Sequence, residues 1–425
     1  MNTPRRIAII GANRIPFCRA HTAYAKLSNQ DMMTAAMQGL VDRYGLKGEK
    51  LGDVSLGAVI KHTAQWNLAR ESTLGSGLAA ETPAFDIQRA CGTSLESAVL
   101  IGNKIAMGQI DAGIAGGVDT ISDAPIVYPD DYRSLLMKSY RARSTVDRLK
   151  PFLGVRPRHF KPVTPGVTEP RTGLSMGESC ELMAKEWNIS REAQDQLALS
   201  SHKNLARAYE AGFYDGLVTP FMGIEQDNNL RRDTSMERLA KLKPVFDRSE
   251  SGTLTAGNST PLTDGAGCVL MASEDWARER GLEVQAYMTY ARVAAVDFVG
   301  GEGLLMAPAY AVSEMLKDAN LSLQDFDLYE IHEAFAAQVL CTLAAWESSE
   351  FCRDRLGRPE ALGNIDRDKM NVYGGSVASG HPFGATGSRL IGILAKALHG
   401  TAARRGLISV CTGGGMGVTA ILEAA

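Results

Sequence analysis

Apolar and polar positions along the 425-residue chain switch between two periods, and the same switching pattern occurs twice. In its first occurrence a short strand, Phe85-Asp86-Ile87, runs into a polar turn ending at Cys91-Gly92-Thr93. Leu95, Ala98, Val99, Gly102, Ile105 and Ala106 then recur at helical spacing, and an apolar run from Ala112 to Val118 predicts the next strand. In the second occurrence a strand, Asn371-Val372-Tyr373, leads through a Gly/Ser turn to Gly380-His381-Pro382. A helix is predicted around Leu390 to Leu398, followed by an apolar strand from Gly406 to Cys411. A helix and KLGDVSLGAVI precede the first turn, as a helix and LQDFDLYEIHEAFAA precede the second, so that Asp53 and Asp327 open corresponding strands. This reads as the duplication of one α/β unit. Strands that are almost continuously apolar belong to buried sheets with helices on both faces. The expected fold class is therefore α/β, with a first half over residues 1–280 and a second over 281–425.

Residues from about 122 to 251 interrupt the first half and differ in character. They are rich in Arg, Pro and Asp, and they hold one amphipathic helix, Ser190 to Ala211, with Ser190 placed to cap it. An insertion of this length reads as a lid or substrate-binding layer and not as a structureless loop. Its basic stretch, Arg141 to Lys161, is either a solvated face or a device for neutralising phosphates on an anionic ligand.

Composition narrows the function. Forty-five Lys and Arg against 48 Asp and Glu leave a formal charge of −3, which supplies no basic excess for a phosphate-led nucleic-acid interface. No apolar run approaches the roughly 20 residues that span a bilayer, so no transmembrane segment is expected. The opening MNTPRRIAIIGANR is cut at Asn13-Arg14, too early for a secretory signal, and the expected location is the cytoplasm. Seven cysteines without CxxC spacing argue against zinc ribbons and disulfide scaffolds, and fit a reducing compartment.

Four residues could carry chemistry. Cys91 stands between a strand and a helix N-terminus, where backbone N–H groups and the helix dipole favour a thiolate; the alternative is a small buried hydrophobe. His381 lies in GHPFGATG, where flanking glycines allow close approach and Pro382 sets the turn; it is a general base or a satisfied turn histidine. Cys411 ends a strand and enters TGGGMG, whose backbone N–H groups suit an oxyanion; the P-loop lysine is missing. His332 begins HEAFA, in which Ala336 replaces the second histidine of a zincin helix, so no metal is expected. It is a site residue at the end of a strand or a core histidine. The remaining cysteines are assigned to packing.

With these motifs in view the chain resembles the thiolase family over nearly its whole length. The resemblance rests on QRACGTSLES around Cys91, GGVDTIS from Gly116, MGESCELMAKEWNISREAQDQLALSSH, TAGNSTPLTDGAG from Thr255, HEAFAAQ, GGSVASGHPFGATGSRL and CTGGGMG. It implies a five-layered αβαβα core with a loop domain inserted in the first half. It implies that Cys91 takes the acyl group, that His381 activates it, and that Cys411 exchanges a proton with C2 of acetyl-CoA. The N–H groups of Cys91 and Gly413 would hold one oxyanion; His381 and a water held by His332 would hold the enolate oxygen. Ser259 and Thr260 fall in the coenzyme A loop, Thr260 as a pantetheine contact. His332 stands where many thiolases have Asn, a variant similar to the β-subunit type of fatty-acid-oxidation complexes.

The function so implied is thiolytic cleavage of 3-oxoacyl-CoA by coenzyme A in fatty-acid β-oxidation, with coenzyme A as co-substrate and no other cofactor. Condensation of two acetyl-CoA is its rival. A decarboxylating ketosynthase would place a histidine where Cys411 stands, and a Cys-His hydrolase would leave the second thiol idle. A scaffold that only binds acyl-CoA predicts loss of a catalytic set that is present. The resemblance further implies a homodimer or tetramer, and allows a complex with a hydratase/dehydrogenase α-subunit.

Overall fold

In a computed structural model, residues 4–163, 166 and 168–425 are described. The first half contributes strands β1 (Ile7–Arg14), β2 (Cys18–Arg19), β3 (Asp53–Gly57), β4 (Ala84–Ile87), β5 (Ala112–Asp119) and β6 (Thr263–Ala272), with helices α1 (Asn29–Arg43), α2 (Leu68–Gly75) and α3 (Thr93–Ala106). Between β5 and β6 lie α4 (Asp130–Arg141), α5 (Thr145–Leu149), α6 (Met176–Glu186), α7 (Arg191–Glu210) and α8 (Met236–Ala240). After α9 (Glu274–Glu279) come β7 (Ala286–Ala295), α10 (Ala307–Ala319), β8 (Leu328–Ile331), α11 (Ala336–Glu347), α12 (Ser349–Asp354), α13 (Ser376–Ser379), α14 (Thr386–Gly400), β9 (Arg405–Thr412) and β10 (Met416–Ala424). Among the described residues no helix is long and apolar enough to cross a membrane.

The strands pair in the order β4-β3-β5-β6-β1-β7-β10-β9-β8, with β2 on β6. Read outward from the β1–β7 junction, the two halves follow one plan, which is the duplication made visible. Three residue pairs, Ile7 to Ile9 against Met288 to Ala286, join the halves edge to edge. One element departs from the expected plan. Asn371 to Tyr373 form no strand; where the counterpart of β4 would lie there is a single bridge between Tyr329 and Met370. The cause is Asn371, which turns to φ +48. Its side-chain amide takes over the ladder, donating to Ile331 O (2.9 Å) and accepting from Ile331 N–H (2.8 Å).

Burial on both sheet faces explains the apolar strands. In β1, Ala8 and Ile10 enter one core, which also holds α1 and α2 side chains, while Ile9 and Ala12 enter another. That second core lies between the halves, where α3 and α14 pack on each other and on strands of both. A third core lies under α10 and α11. The layers are thus helices, sheet, the α3/α14 pair, sheet and helices, a five-layered αβαβα arrangement.

The insertion is built, not loose. Ser190 caps α7 by accepting from Ala193 N–H (3.1 Å), as its sequence predicts. Ser175 and Glu178 form a capping box on α6. Both helices pack on α11, so the insertion roofs the second half. The basic stretch lies on the surface apart from buried His159; its Lys150 pairs with Asp147, and its Arg158 with Asp131 of α4. Thr164, Pro165 and Val167 of the insertion lie outside the described residues.

Candidate active site

Cys91 is presented by a strained turn. Ala90 before it adopts φ +42, and Thr93 at the start of α3 secures the turn by accepting from Arg89 N–H (2.9 Å) and donating to Ala90 O (2.7 Å). His381 sits in the corresponding turn ahead of α14. Gly380 there takes φ +98, and His381 N–H donates to Thr263 Oγ1 (3.1 Å). Asp119, buried at the end of β5, accepts from Gly384 N–H (2.7 Å) and from Ile60 N–H (2.8 Å). Burial pushes its carboxyl up to about 7 against those N–H donors. A side chain at Gly117 would collide with the Gly384 carbonyl, so β5 and the His381 turn touch backbone to backbone.

The two turns meet because their helices meet. Ser388 N–H donates to Ser94 Oγ (2.9 Å), and Gly387 leaves no room for a Cβ against Leu95. Cys411 arrives at the end of β9, and Gly413 follows in a turn with Gly414 and Gly415 at φ +77 and +69. Glu169 of the insertion accepts from Gly414 N–H (2.6 Å). His332 immediately follows β8, its N–H bound to Ser409 O (2.8 Å).

Cys91 Sγ and a ring nitrogen each of His332 and His381 lie within 4.8 Å of one another, and the two ring centroids are 4.1 Å apart. This spacing suits proton exchange, and a soft divalent cation could also bridge it. Each Nδ1 is engaged, His332 with Ser376 Oγ (2.7 Å) and His381 with Thr386 Oγ1 (2.6 Å). Both Nε2 atoms are buried without a partner among the described residues.

A pocket of about 290 Å³ collects Cys91, His381, Cys411, Gly413 and Thr260. Met176, Phe246, Leu305 and Phe335 make its walls apolar. His332 lies beneath, fully buried. Thr260 Oγ1 donates to Ala334 O (3.1 Å) and lines the pocket, whereas Ser259 is buried outside the lining, its Oγ without a partner among the described residues.

Electrostatics alters the expectation of a resting thiolate at Cys91. Burial pushes this thiol up to about 12, outweighing the N–H groups of Gly413 and Cys91 itself that face the sulfur. Burial likewise raises Cys411 well above the ordinary thiol range, with the nearby Cys91 adding to it. The same burial lowers His381 to about 3, helped by the Arg389 charge, and His332 falls well below the usual imidazole range. The helix dipole loses to desolvation, and the free site holds neutral thiols and neutral imidazoles.

Sequence reasoning missed the residues behind the site. Ser376, Thr386 and Arg389 all lie within GGSVASGHPFGATGSRL, and Asp119 within GGVDTIS, but nothing local assigns them a task. The apolar wall residues come from separate elements and carry no shared sequence signal.

A thiol beside a neutral imidazole and a second thiol at a glycine turn thus meet on a duplicated αβαβα core. The chain belongs to the thiolase family: residues 7–275 match the model "Thiolase, N-terminal domain" and residues 282–424 "Thiolase, C-terminal domain". It is 40% identical over 424 residues, 98% of this chain and 97% of the relative, to a 3-ketoacyl-CoA thiolase of Yersinia enterocolitica, and equally to one of Yersinia pseudotuberculosis. Among solved structures it is similar to the Bacillus anthracis acetyl-CoA acetyltransferase (TM-score 0.84, 30% identity, 100% of both chains). It is also similar to human mitochondrial 3-ketoacyl-CoA thiolase in complex with CoA (TM-score 0.82, 28% identity, 99% of this chain and 98% of that one).

Proposed function

We propose that this enzyme cleaves 3-oxoacyl-CoA with coenzyme A, giving acetyl-CoA and an acyl-CoA shortened by two carbons. The observation that carries the proposal is the convergence of Cys91, His381 and Cys411 on one apolar pocket. His381 Nε2 takes the Cys91 proton as the sulfur attacks the 3-oxo carbon. Proton transfer and attack are coupled, because burial disfavours a separated thiolate–imidazolium pair. The developing oxyanion sits against the N–H groups of Cys91 and Gly413, the two that already face the sulfur. As the C2–C3 bond breaks, its electron pair goes to the enolate of acetyl-CoA. Cys411 protonates C2, and His381 with a His332-held water supports the enolate oxygen. Coenzyme A then attacks the acyl-Cys91 carbonyl, its thiol proton restoring Cys411, and the Cys91 sulfur leaves with the proton held on His381.

The names of the Yersinia and human relatives support the 3-oxoacyl substrate, and the CoA complex of the human enzyme supports coenzyme A as co-substrate; in this reading Thr260, on the pocket lining, meets its pantetheine arm. The reading extends to β-oxidation, a cytoplasmic location, which seven free thiols suit, and a homodimer or tetramer that accepts a hydratase/dehydrogenase α-subunit. The exposed apolar side chains of the insertion, among them Tyr140, Leu149, Leu153 and Phe160, support such a docking face.

The test is thiolysis by the purified protein on 3-oxo-C4 and 3-oxo-C16 substrates, with acyl labelling of Cys91. Turnover of the long substrate and loss of labelling in Cys91→Ser are expected. Cys411→Ala should still acylate from an acyl-CoA but lose C–C cleavage. Turnover of C4 alone favours the condensing enzyme, and binding without turnover favours a scaffold; either outcome removes the proposal.

A further inference from the structure

The chemistry proposed above asks opposite things of two neighbouring imidazoles. His381 must take a proton at Nε2, while His332 must offer a hydrogen bond toward the water that meets the enolate oxygen. A neutral imidazole does one or the other, according to which nitrogen holds its hydrogen. We propose that Ser376 with Arg389, and Thr386 on the opposite side, lock the two rings in opposite tautomers: His332 presents Nε2–H and His381 a bare Nε2. The need for this rests on the thiolysis reading; the tautomers themselves follow from the hydrogen bonds.

Arg389 of α14 is buried, and its Nη2 donates to Ser376 Oγ (2.7 Å). A guanidinium cannot accept, so the Ser376 hydroxyl keeps its own hydrogen to give. Among the described residues the acceptor in reach is His332 Nδ1, 2.7 Å away. Ser376 is completely shut off from solvent. A hydrogen on Nδ1 would face that hydroxyl donor to donor and leave it unpaired out of water. The lone pair of His332 is therefore at Nδ1 and its hydrogen at Nε2.

His381 is held the other way. The Thr386 hydroxyl donates to the Pro382 carbonyl (3.2 Å), so Oγ1 accepts the Nδ1–H of His381 (2.6 Å). The lone pair then lies at Nε2, free for the Cys91 proton. Among the described residues neither Nε2 atom has a partner, which leaves both for substrate and water. Ser376, Arg389 and Thr386 touch no reacting atom; they are positioning residues.

Nitrogen-15 NMR of the full-length enzyme labelled at histidine reads the tautomers directly, with His332→Asn and Thr386→Val spectra for assignment. His332 protonated at Nε2 and His381 at Nδ1 is expected; the same nitrogen protonated on both rings overturns the proposal. Kinetics supply a second test. Ser376→Ala should lower thiolysis kcat by on the order of 10²-fold, the effect of losing one preorganised oxyanion donor, while acylation of Cys91 by an acyl-CoA persists. An amide at position 332 donates without any relay. Ser376→Ala placed on His332→Asn should therefore change kcat by less than about threefold, a gap of about 30-fold or about 2 kcal/mol of coupling. An equal loss in both backgrounds means a merely structural serine and overturns the assignment. If the wild type fails to acylate Cys91, the thiolysis reading falls while the NMR result still judges the tautomers.

Discussion

Gly387→Ala tests whether the site exists because α3 and α14 touch at their N-termini. A Cβ at Gly387 would lie 2.7 Å from Leu95 Cβ and 2.9 Å from Leu95 Cα, and closer still to the Leu95 amide nitrogen. Carbon contacts settle at about 3.5–4.0 Å. The two helices must therefore part by on the order of 1 Å, since what is struck is backbone and cannot rotate away. The Ser388 N–H to Ser94 Oγ bond, 2.9 Å long and buried, stretches with them. Overpacking of this kind costs about 1–3 kcal/mol of stability. The larger effect falls on function, because Cys91 precedes α3 and His381 precedes α14. A 1 Å misplacement of reacting groups costs about 10²-fold in rate. Thiolysis kcat should therefore fall by about that factor in a protein that still unfolds cooperatively, measured beside its thermal midpoint. Gly400→Ala, at the other end of the same helix, is the control: a Cβ there meets nothing within 4 Å, and activity should be unchanged. If Gly387→Ala retains full kcat, the helix contact does not set the Cys91–His381 geometry.

Asp227→Asn should cost about 3–5 kcal/mol in denaturant unfolding. Buried Asp227 accepts from Arg14 Nη1 and Nη2 (2.6 and 2.8 Å), and the substitution strands the buried guanidinium; a loss below 1 kcal/mol would refute this. His202 is lowered to about 4 by burial and the Arg231 charge, and its Nδ1 accepts from Arg231 N–H (3.2 Å). A depressed histidine contributes stability that is full above its unfolded value near 6.5 and is lost as pH falls through 4, about 3 kcal/mol in all. Asp119 and Glu330, raised to about 7 and about 8 by burial, titrate with the opposite sign. The His202 contribution is therefore read as the difference in stability between wild type and His202→Asn from pH 7 to 4. A difference that does not narrow with acid refutes it.

Much of this protein is local. The helical spacing after Cys91, the cap at Ser190 and the doubly buried strands of each half follow from residue order alone, because period and capping act within one or two turns of chain. The motifs around Cys91, His381 and Cys411 also name three side chains that the fold gathers on one pocket. Local pattern fails at Asn371, where a side chain replaces a strand's hydrogen bonds, and at Cys91, where the dipole of a helix end is audible in sequence but burial is not. Only the tertiary structure stacks α3 on α14, and so brings together two turns separated by most of the chain. Only it encloses the thiols and imidazoles in apolar walls drawn from four separate segments, which holds them neutral at rest. Only it sets Arg389 against Ser376 and Thr386 against His381, choosing which nitrogen of each ring carries the hydrogen. Desolvation and hydrogen-bond partnership depend on what surrounds a group from every side, and a sequence specifies neighbours along one dimension.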